Sequence, residues 1–255
     1  MPDRLARIVH VEPGQYEVGS DFIPQAGPVH LSIIAKSFWI DVSPLSWSDY
    51  ETFVISEGYF RDELWPEALQ GQITKLPSSS IDARCRVLRN YAEELESYWG
   101  SSLTEKRRLP LTGLSWFEAS AICRFYGARL PRESEWEIAM QRSSPPPANS
   151  TKDWSSGSLL SDSGCQLFLG LLQEWTADVF VAHYCEANGN QRGHRWNPSA
   201  PKQKVAVRGS SPEDVYTHVS YRVGRFPESG FGNLGFRRVW DSKPTDEIVA
   251  SSQGH

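Results

Sequence analysis

Residues 109–140 read LPLTGLSWFEASAICRFYGARLPRESEWEIAM, and this stretch carries the start and stop signals of two helices. Ser115-Trp116-Phe117-Glu118 is a capping box, in which a serine hydroxyl accepts from the backbone N–H three residues on and the glutamate reaches back to the serine N–H. Ala121, Ile122 and Phe125 continue an apolar face. Gly127 closes it, because glycine enters the left-handed conformation without steric cost. Pro131, whose fixed φ suits a first helical turn, opens a second helix that presents Trp136, Ala139 and Met140.

Upstream, the alternation of Ile8, His10 and Glu12 followed by PGQYEVGS at 13–20 reads as strand, turn and strand, a hairpin edge. Pro28 to Val42 holds enough β-branched and aromatic residues for one or two short strands. A further capping box, Ser46-Trp47-Ser48-Asp49, predicts a short helix ending at Gly58. Ile81, Cys85, Leu88, Ala92, Leu95 and Trp99 follow at alternating helical spacings and predict an amphipathic helix to Gly100. Downstream, Ser143 to Gly164 is rich in Ser, Pro, Asn and Gly and reads as a loop. The C-terminal third has short runs punctuated by aromatics and glycine, among them Glu174-Trp175-Thr176, Lys204 to Arg208 and Gly235 to Val239. No helix longer than two turns fits there. We therefore expect one domain over 1–241 and a flexible tail over 242–255.

Composition limits the function classes. Apolar residues make up 39 % and charged residues 22 % of the 255, and the longest apolar run, Leu167 to Leu172, is interrupted by Gly170. A spanning helix needs roughly 20 such residues, so no membrane partner is expected. A formal charge of −5 gives no basic footprint for nucleic acid. Ten Trp alongside 19 Gly and 17 Pro suggest many loops pinned by large aromatic anchors. The four cysteines form no C-x-x-C pair and read as reduced, packed thiols. MPDRLARIVHVEPG has no apolar signal core, so a cytoplasmic location is expected.

Four segments resemble the signature of the formylglycine-generating-enzyme family, or sulfatase-modifying-factor fold. They are VEPGQYEVGS at 11–20, the stretch at 109–140, LGLLQEWTAD at 169–178, and VAVRGSS at 205–211 with NLGFRRV at 233–239. The resemblance implies an α+β, C-type-lectin-like fold with little regular secondary structure. Beside it, Gly127 and Gly235 suit backbone positions hostile to a Cβ, and Trp136 and Trp175 suit core anchors. GYFRDELW at 58–65 is similar to the hercynine-oxygenase branch, but the six histidines show no H-x3-H-x-E pattern. The copper branch places two cysteines between its R-G-G-S and N-L-G-F-R motifs. Here the span from Arg208 to Arg237 has none, which speaks against copper(I) chemistry and copper-dependent formylglycine generation. In the run matching the family's calcium segment, Leu171 replaces an asparagine and leaves Asp178 alone, which speaks against calcium.

The region equivalent to the family's active-site surface holds Arg208, Glu213, Asp214, Tyr216, His218, Tyr221, Arg222 and Arg225. Here His218 is the expected general base, with Glu213 or Asp214 orienting it or shuttling a proton and Tyr216 beside them. Arg222 or Arg225 would hold a substrate carboxylate, with Arg208 and Tyr221 on the same surface. The other reading of these residues is an exposed loop making local salt bridges. Trp240 is expected either to line a ligand groove or to pack. His183, Cys185, Glu186 and His194 carry donors that iron or zinc accepts, in a spacing that matches no established ligand pattern. The resemblance implies an oxidoreductase-type enzyme acting on a small amino-acid-derived molecule or peptide in biosynthesis. The alternative is a catalytically silent module that binds a ligand or partner protein.

Overall fold

The computed structural model describes residues 8–66, 69, 80–86, 88, 90, 110–141, 159–181, 203–211, 214 and 216–245. Eleven strands and three α-helices are labelled here. Strands β1 (Ile8–Val11), β2 (Gly14–Val18), β3 (His30–Ile34) and β4 (Phe38–Asp41) precede α1 (Trp47–Ile55). Then come α2 (Trp116–Phe125), α3 (Glu133–Met140), β5 (Leu159–Leu160), β6 (Gln166–Leu167) and β7 (Gln173–Val179). Strands β8 (Val205–Gly209), β9 (Arg222–Arg225), β10 (Leu234–Phe236) and β11 (Val239–Trp240) complete the order. The α+β class expected from the sequence holds.

The N-terminal segment departs from the expected hairpin. β1 pairs with β4, which also carries β11, while β2 pairs with β3 in a separate two-stranded sheet. A short run between two strand-like segments does not by itself choose their partners. Within the expected 143–164 loop, Leu159 and Leu160 form β5 and pair with β6. Pro131 lies just before Arg132, the N-cap of α3, and so sits outside the helix. Residues 80–86, 88 and 90 are helical, as the 81–99 periodicity predicts, and the remainder of that prediction lies outside the described residues.

Both capping boxes form. Ser46 accepts from the Asp49 N–H and Asp49 from the Ser46 N–H; Ser115 and Glu118 do the same at α2. Gly127 has φ +63°, the left-handed geometry that the helix stop requires. A Cβ on Gly235 would stand 3.0 Å from the Leu111 carbonyl oxygen.

The centre of the molecule is the sheet β10-β7-β8-β9, in which β10 and β7 run parallel and the other pairs antiparallel. Side chains alternate across a sheet. One face turns Trp175, Val205, Val207, Leu234 and Phe236 into an apolar cluster with α1 and α2. Two tryptophans fasten this side: Trp175 Nε1 donates to the Leu114 carbonyl at 2.9 Å and Trp116 Nε1 to the Thr176 carbonyl at 2.8 Å. The opposite face turns Glu174, Arg208 and Arg222 towards α3. A second apolar cluster joins Trp136, Ala139 and Met140 of α3 to Phe38, Ile40, Cys165, Leu167 and Val239.

Candidate functional site

A charged layer lies between α3 and the central sheet. Residues 133 and 137 are one helical turn apart, so both glutamates project from one side of α3. Arg222 forks Glu133, with Nε to Oε2 at 2.6 Å and Nη2 to Oε1 at 2.7 Å. Arg208 lies 3.2 Å from Glu133 and 2.8 Å from Glu137. Arg237 forks Glu174, which also accepts from Trp136 Nε1 at 2.9 Å. These three arginines are fully excluded from solvent and the three glutamates nearly so. Charges so deeply buried are tolerated only when paired.

This placement corrects two expectations. Arg208 and Arg222 do not offer a fork to a substrate, because Glu133 and Glu137 already occupy them. Trp240 does not line a groove: it is buried, donates to the Tyr126 carbonyl at 3.2 Å, and lies under the Arg238 guanidinium at 5.3 Å.

Gln173 and Arg225 lie on the sheet face opposite Glu174, Arg208 and Arg222, and there Asp214 joins Ser211, Gln173 and Tyr221. Its Oδ2 accepts from the Ser211 N–H at 2.6 Å, the Ser211 hydroxyl at 2.8 Å and the Gln173 amide at 2.8 Å. Its Oδ1 accepts from the Tyr221 hydroxyl at 2.9 Å. Burial alone would raise this carboxyl, but the bonds from Ser211, Tyr221 and Gln173 hold it below the usual aspartate range. Asp214 therefore fixes the loop and does not orient His218, another correction. Tyr216, half-buried, sets its ring 6.3 Å from that of Tyr221.

His218 lies at the exposed edge, with Nδ1 accepting from the Ser220 N–H at 3.1 Å. Desolvation lowers its pKa below the ordinary histidine value, and Glu137 opposes the shift without reversing it. A neutral imidazole that accepts at Nδ1 carries its proton on Nε2. In this geometry His218 presents a donor, not the expected general base. Ser220 itself donates to Glu137 Oε1 at 2.6 Å and lies 3.0 Å from the Gly19 carbonyl, so the end of β2 is drawn to the site floor.

Arg225, half-buried, stands at the far side of Gln173. Its Nη2 reaches Gln173 Oε1 at 3.3 Å, and its guanidinium lies 4.9 Å from the Phe231 ring centre. Glu213, and all of His183, Cys185, Glu186 and His194, lie outside the described residues. Among the described residues, no three His, Cys, Asp or Glu side chains are grouped to hold a metal.

The metals of the family can be tested against these residues. Cys123 and Cys165 are buried and Cys85 is half-buried, all three free, and none lies between Arg208 and Arg237. That stretch does not fit a two-thiolate copper(I) centre. Asp178 is buried and accepts from the Glu133 N–H at 2.7 Å, capping α3 from β7. Burial, with Glu133 adding to it, pushes this carboxyl up to about 6. An acid drawn towards its neutral form, in a run where Leu171 has no side-chain oxygen to offer, does not fit calcium.

Gln173, Ser211, Ser220 and Phe231 are the site residues that sequence reasoning missed. A period-two reading of Gln173-Glu174-Trp175 would have put Gln173 on the face opposite Glu174, the signal that was available.

Comparison with known proteins agrees with this architecture. The sequence is 25 % identical to mouse formylglycine-generating enzyme over 96 % of this chain and 77 % of that protein. Identity is also 25 % to the bovine inactive C-alpha-formylglycine-generating enzyme 2, over 92 % of this chain and 88 % of the relative. The structure of PvdO from Pseudomonas aeruginosa superposes with a TM-score of 0.59 at 16 % identity, covering 91 % of this chain and 93 % of that one, which shows a shared fold. The profile of the sulfatase-modifying factor enzyme 1-like domain matches residues 2–167. With well over half of its length matched, the chain belongs to the sulfatase-modifying factor enzyme 1-like domain family.

Proposed function

We propose that this protein is a divergent formylglycine-generating-enzyme-like oxidoreductase that modifies a small amino-acid-derived molecule or a peptide held on the 208–225 surface. The observation that carries this reading is the Asp214 node. Four hydrogen bonds from Ser211, Gln173 and Tyr221 converge on one carboxylate. They set Tyr221, and with it the neighbouring Tyr216 ring, before a ligand arrives, which removes an ordering cost from binding. His218 contributes a hydrogen-bond donor at Nε2. Iron, if the protein uses it, falls to His183, Cys185, Glu186 and His194. Three free thiols support a reducing, cytoplasmic setting.

The second reading, a catalytically silent ligand- or protein-binding module, is favoured by His218, whose Nδ1 is engaged by the Ser220 N–H and offers no base. One experiment separates the two. Protein purified without chelator is analysed for metals, and oxygen uptake is followed with free amino acids, thiol-bearing amino-acid derivatives and cysteine-containing peptides. Oxygen uptake on a small amino-acid-derived compound is the expected result, and iron at half occupancy or more alongside it assigns the metal to the cluster of His183, Cys185, Glu186 and His194. Calorimetric binding without uptake, unchanged in His218→Ala, establishes the silent module. Near-stoichiometric copper overturns the rejection of copper chemistry.

A further inference from the structure

Six buried or half-buried arginines of this fold have carboxylate partners, while Arg124 donates to the Leu64 carbonyl. Arg84 has Glu118, Arg129 has Glu135 and Asp241, Arg208 and Arg222 have Glu133, Arg237 has Glu174, and Arg238 has Asp41. Arg225 differs. It is half-buried, its Nε is shielded from solvent and has no hydrogen-bond acceptor among the described residues, and its Nη2 approaches the Gln173 amide oxygen at 3.3 Å. Gln173 stands between Arg225 and Asp214, its amide oxygen accepting from the one and its amide N–H donating to the other. A shielded N–H without an acceptor costs roughly 1–3 kcal/mol, so such groups mark places that a ligand completes.

We propose that Arg225 is the anchor for a free carboxylate on the ligand, with Nε and an adjacent guanidinium N–H as its donors. The proposal rests on reading the 208–225 surface as the ligand site, and it narrows the substrate class. A planar fork matches a carboxylate with two parallel bonds. The Phe231 ring beneath the guanidinium is 42 % exposed, and the Tyr216 ring lies next to Tyr221, so the flanks suit an apolar or aromatic body. The ligand is then a small amino-acid-derived acid and not an internal residue of a polypeptide, whose carboxyl is tied up in a peptide bond. Gln173 is the positioning residue that aims the fork.

The test compares two probes that differ only at this group, Nα-acetyl-L-tyrosine and its carboxamide, by titration calorimetry on the whole protein. The acid is expected to bind about tenfold or more tightly than the amide, the worth of a charge-assisted bond in a shielded site. Arg225→Gln is expected to abolish that preference and Arg225→Lys to keep part of it, each melting within a few degrees of the parent protein. Equal binding of acid and amide, or a preference that survives Arg225→Gln, overturns the anchor. Asp214→Asn reports separately on the site: it is expected to weaken both probes alike. Binding untouched by Asp214→Asn and by Arg225→Gln overturns the site itself, and no binding of either probe at millimolar concentration overturns the ligand class.

Discussion

The two faces of the central sheet are held to their neighbours by opposite means. Towards α1 and α2, Trp175, Val207 and Phe236 pack in an apolar layer whose energy scales with buried area and fit. Towards α3, Glu174, Arg208 and Arg222 meet Glu133, Glu137 and Arg237 in a charge-balanced layer. Apolar contacts can slip and repack with graded loss. Forked ion pairs cannot, because each carboxylate has one geometry in which the guanidinium fits. The difference assigns two tasks: the apolar face supplies stability, while the charged face fixes the orientation of α3 and of the loop that rests on it. Orientation as the reason for keeping buried charges is a hypothesis for this protein, and the mutants below test it.

The largest effect is expected from Arg222→Met, which leaves Glu133 buried with half its partners. A loss of about 3–5 kcal/mol in chemical denaturation is the expected cost of an orphaned buried charge. On the other face, Val207→Ala removes two methyl groups from a full core and should cost roughly 2 kcal/mol in the same assay. If Val207→Ala proves as damaging as Arg222→Met, the contrast between the faces fails.

A pH experiment sharpens the comparison at the seam where Asp178 caps α3. Its carboxyl, at about 6 in the folded protein, stands above the ordinary aspartate value of 3.8. Between those values the folded state holds a proton that the unfolded state has released. The stability tied to this proton is complete below the unfolded value and is lost as pH rises through about 6. Asp178→Asn keeps an acceptor for the Glu133 N–H and removes the titration. Its denaturation curve should therefore gain on the parent protein between pH 5 and pH 8, by on the order of 2 kcal/mol. A parallel dependence in both proteins would show that Asp178 is not the group responsible. The smallest effect belongs to the apolar side: Ser115→Ala opens the capping box of α2 and should lower stability by about 1 kcal/mol, read as a fall in the melting temperature.

Helix starts were legible in the sequence because a capping box is a local pattern. Ser46 and Ser115 announce α1 and α2, and the structure forms both boxes. Strand partners were not legible, since β1 finds β4 past the intervening pair of β2 and β3, and nothing in PGQYEVGS specifies either choice. The charged layer was concealed for another reason. Arg and Glu are mostly surface residues, so Arg208 and Arg222 read as groups facing a ligand, whereas the glutamates that hold them lie in α3, a sequence distance away. At the candidate site, the resemblance to R-G-G-S pointed to the 208–225 segment. Which side chains were already engaged with one another depended on contacts between β7, α3 and β9 that no local spacing records.

Gly19 donates its N–H to Glu137, 118 residues away, and lies within reach of the Ser220 hydroxyl, 201 residues away. During synthesis the glutamates of α3 emerge long before Arg208, Ser220 and Arg222, so the segment must wait on the ribosome with acidic groups that have nowhere to go but water. The charged layer can close only after the C-terminal strands appear, and nascent chains stopped short of Ser220 would present α3 as an acidic, protease-accessible surface.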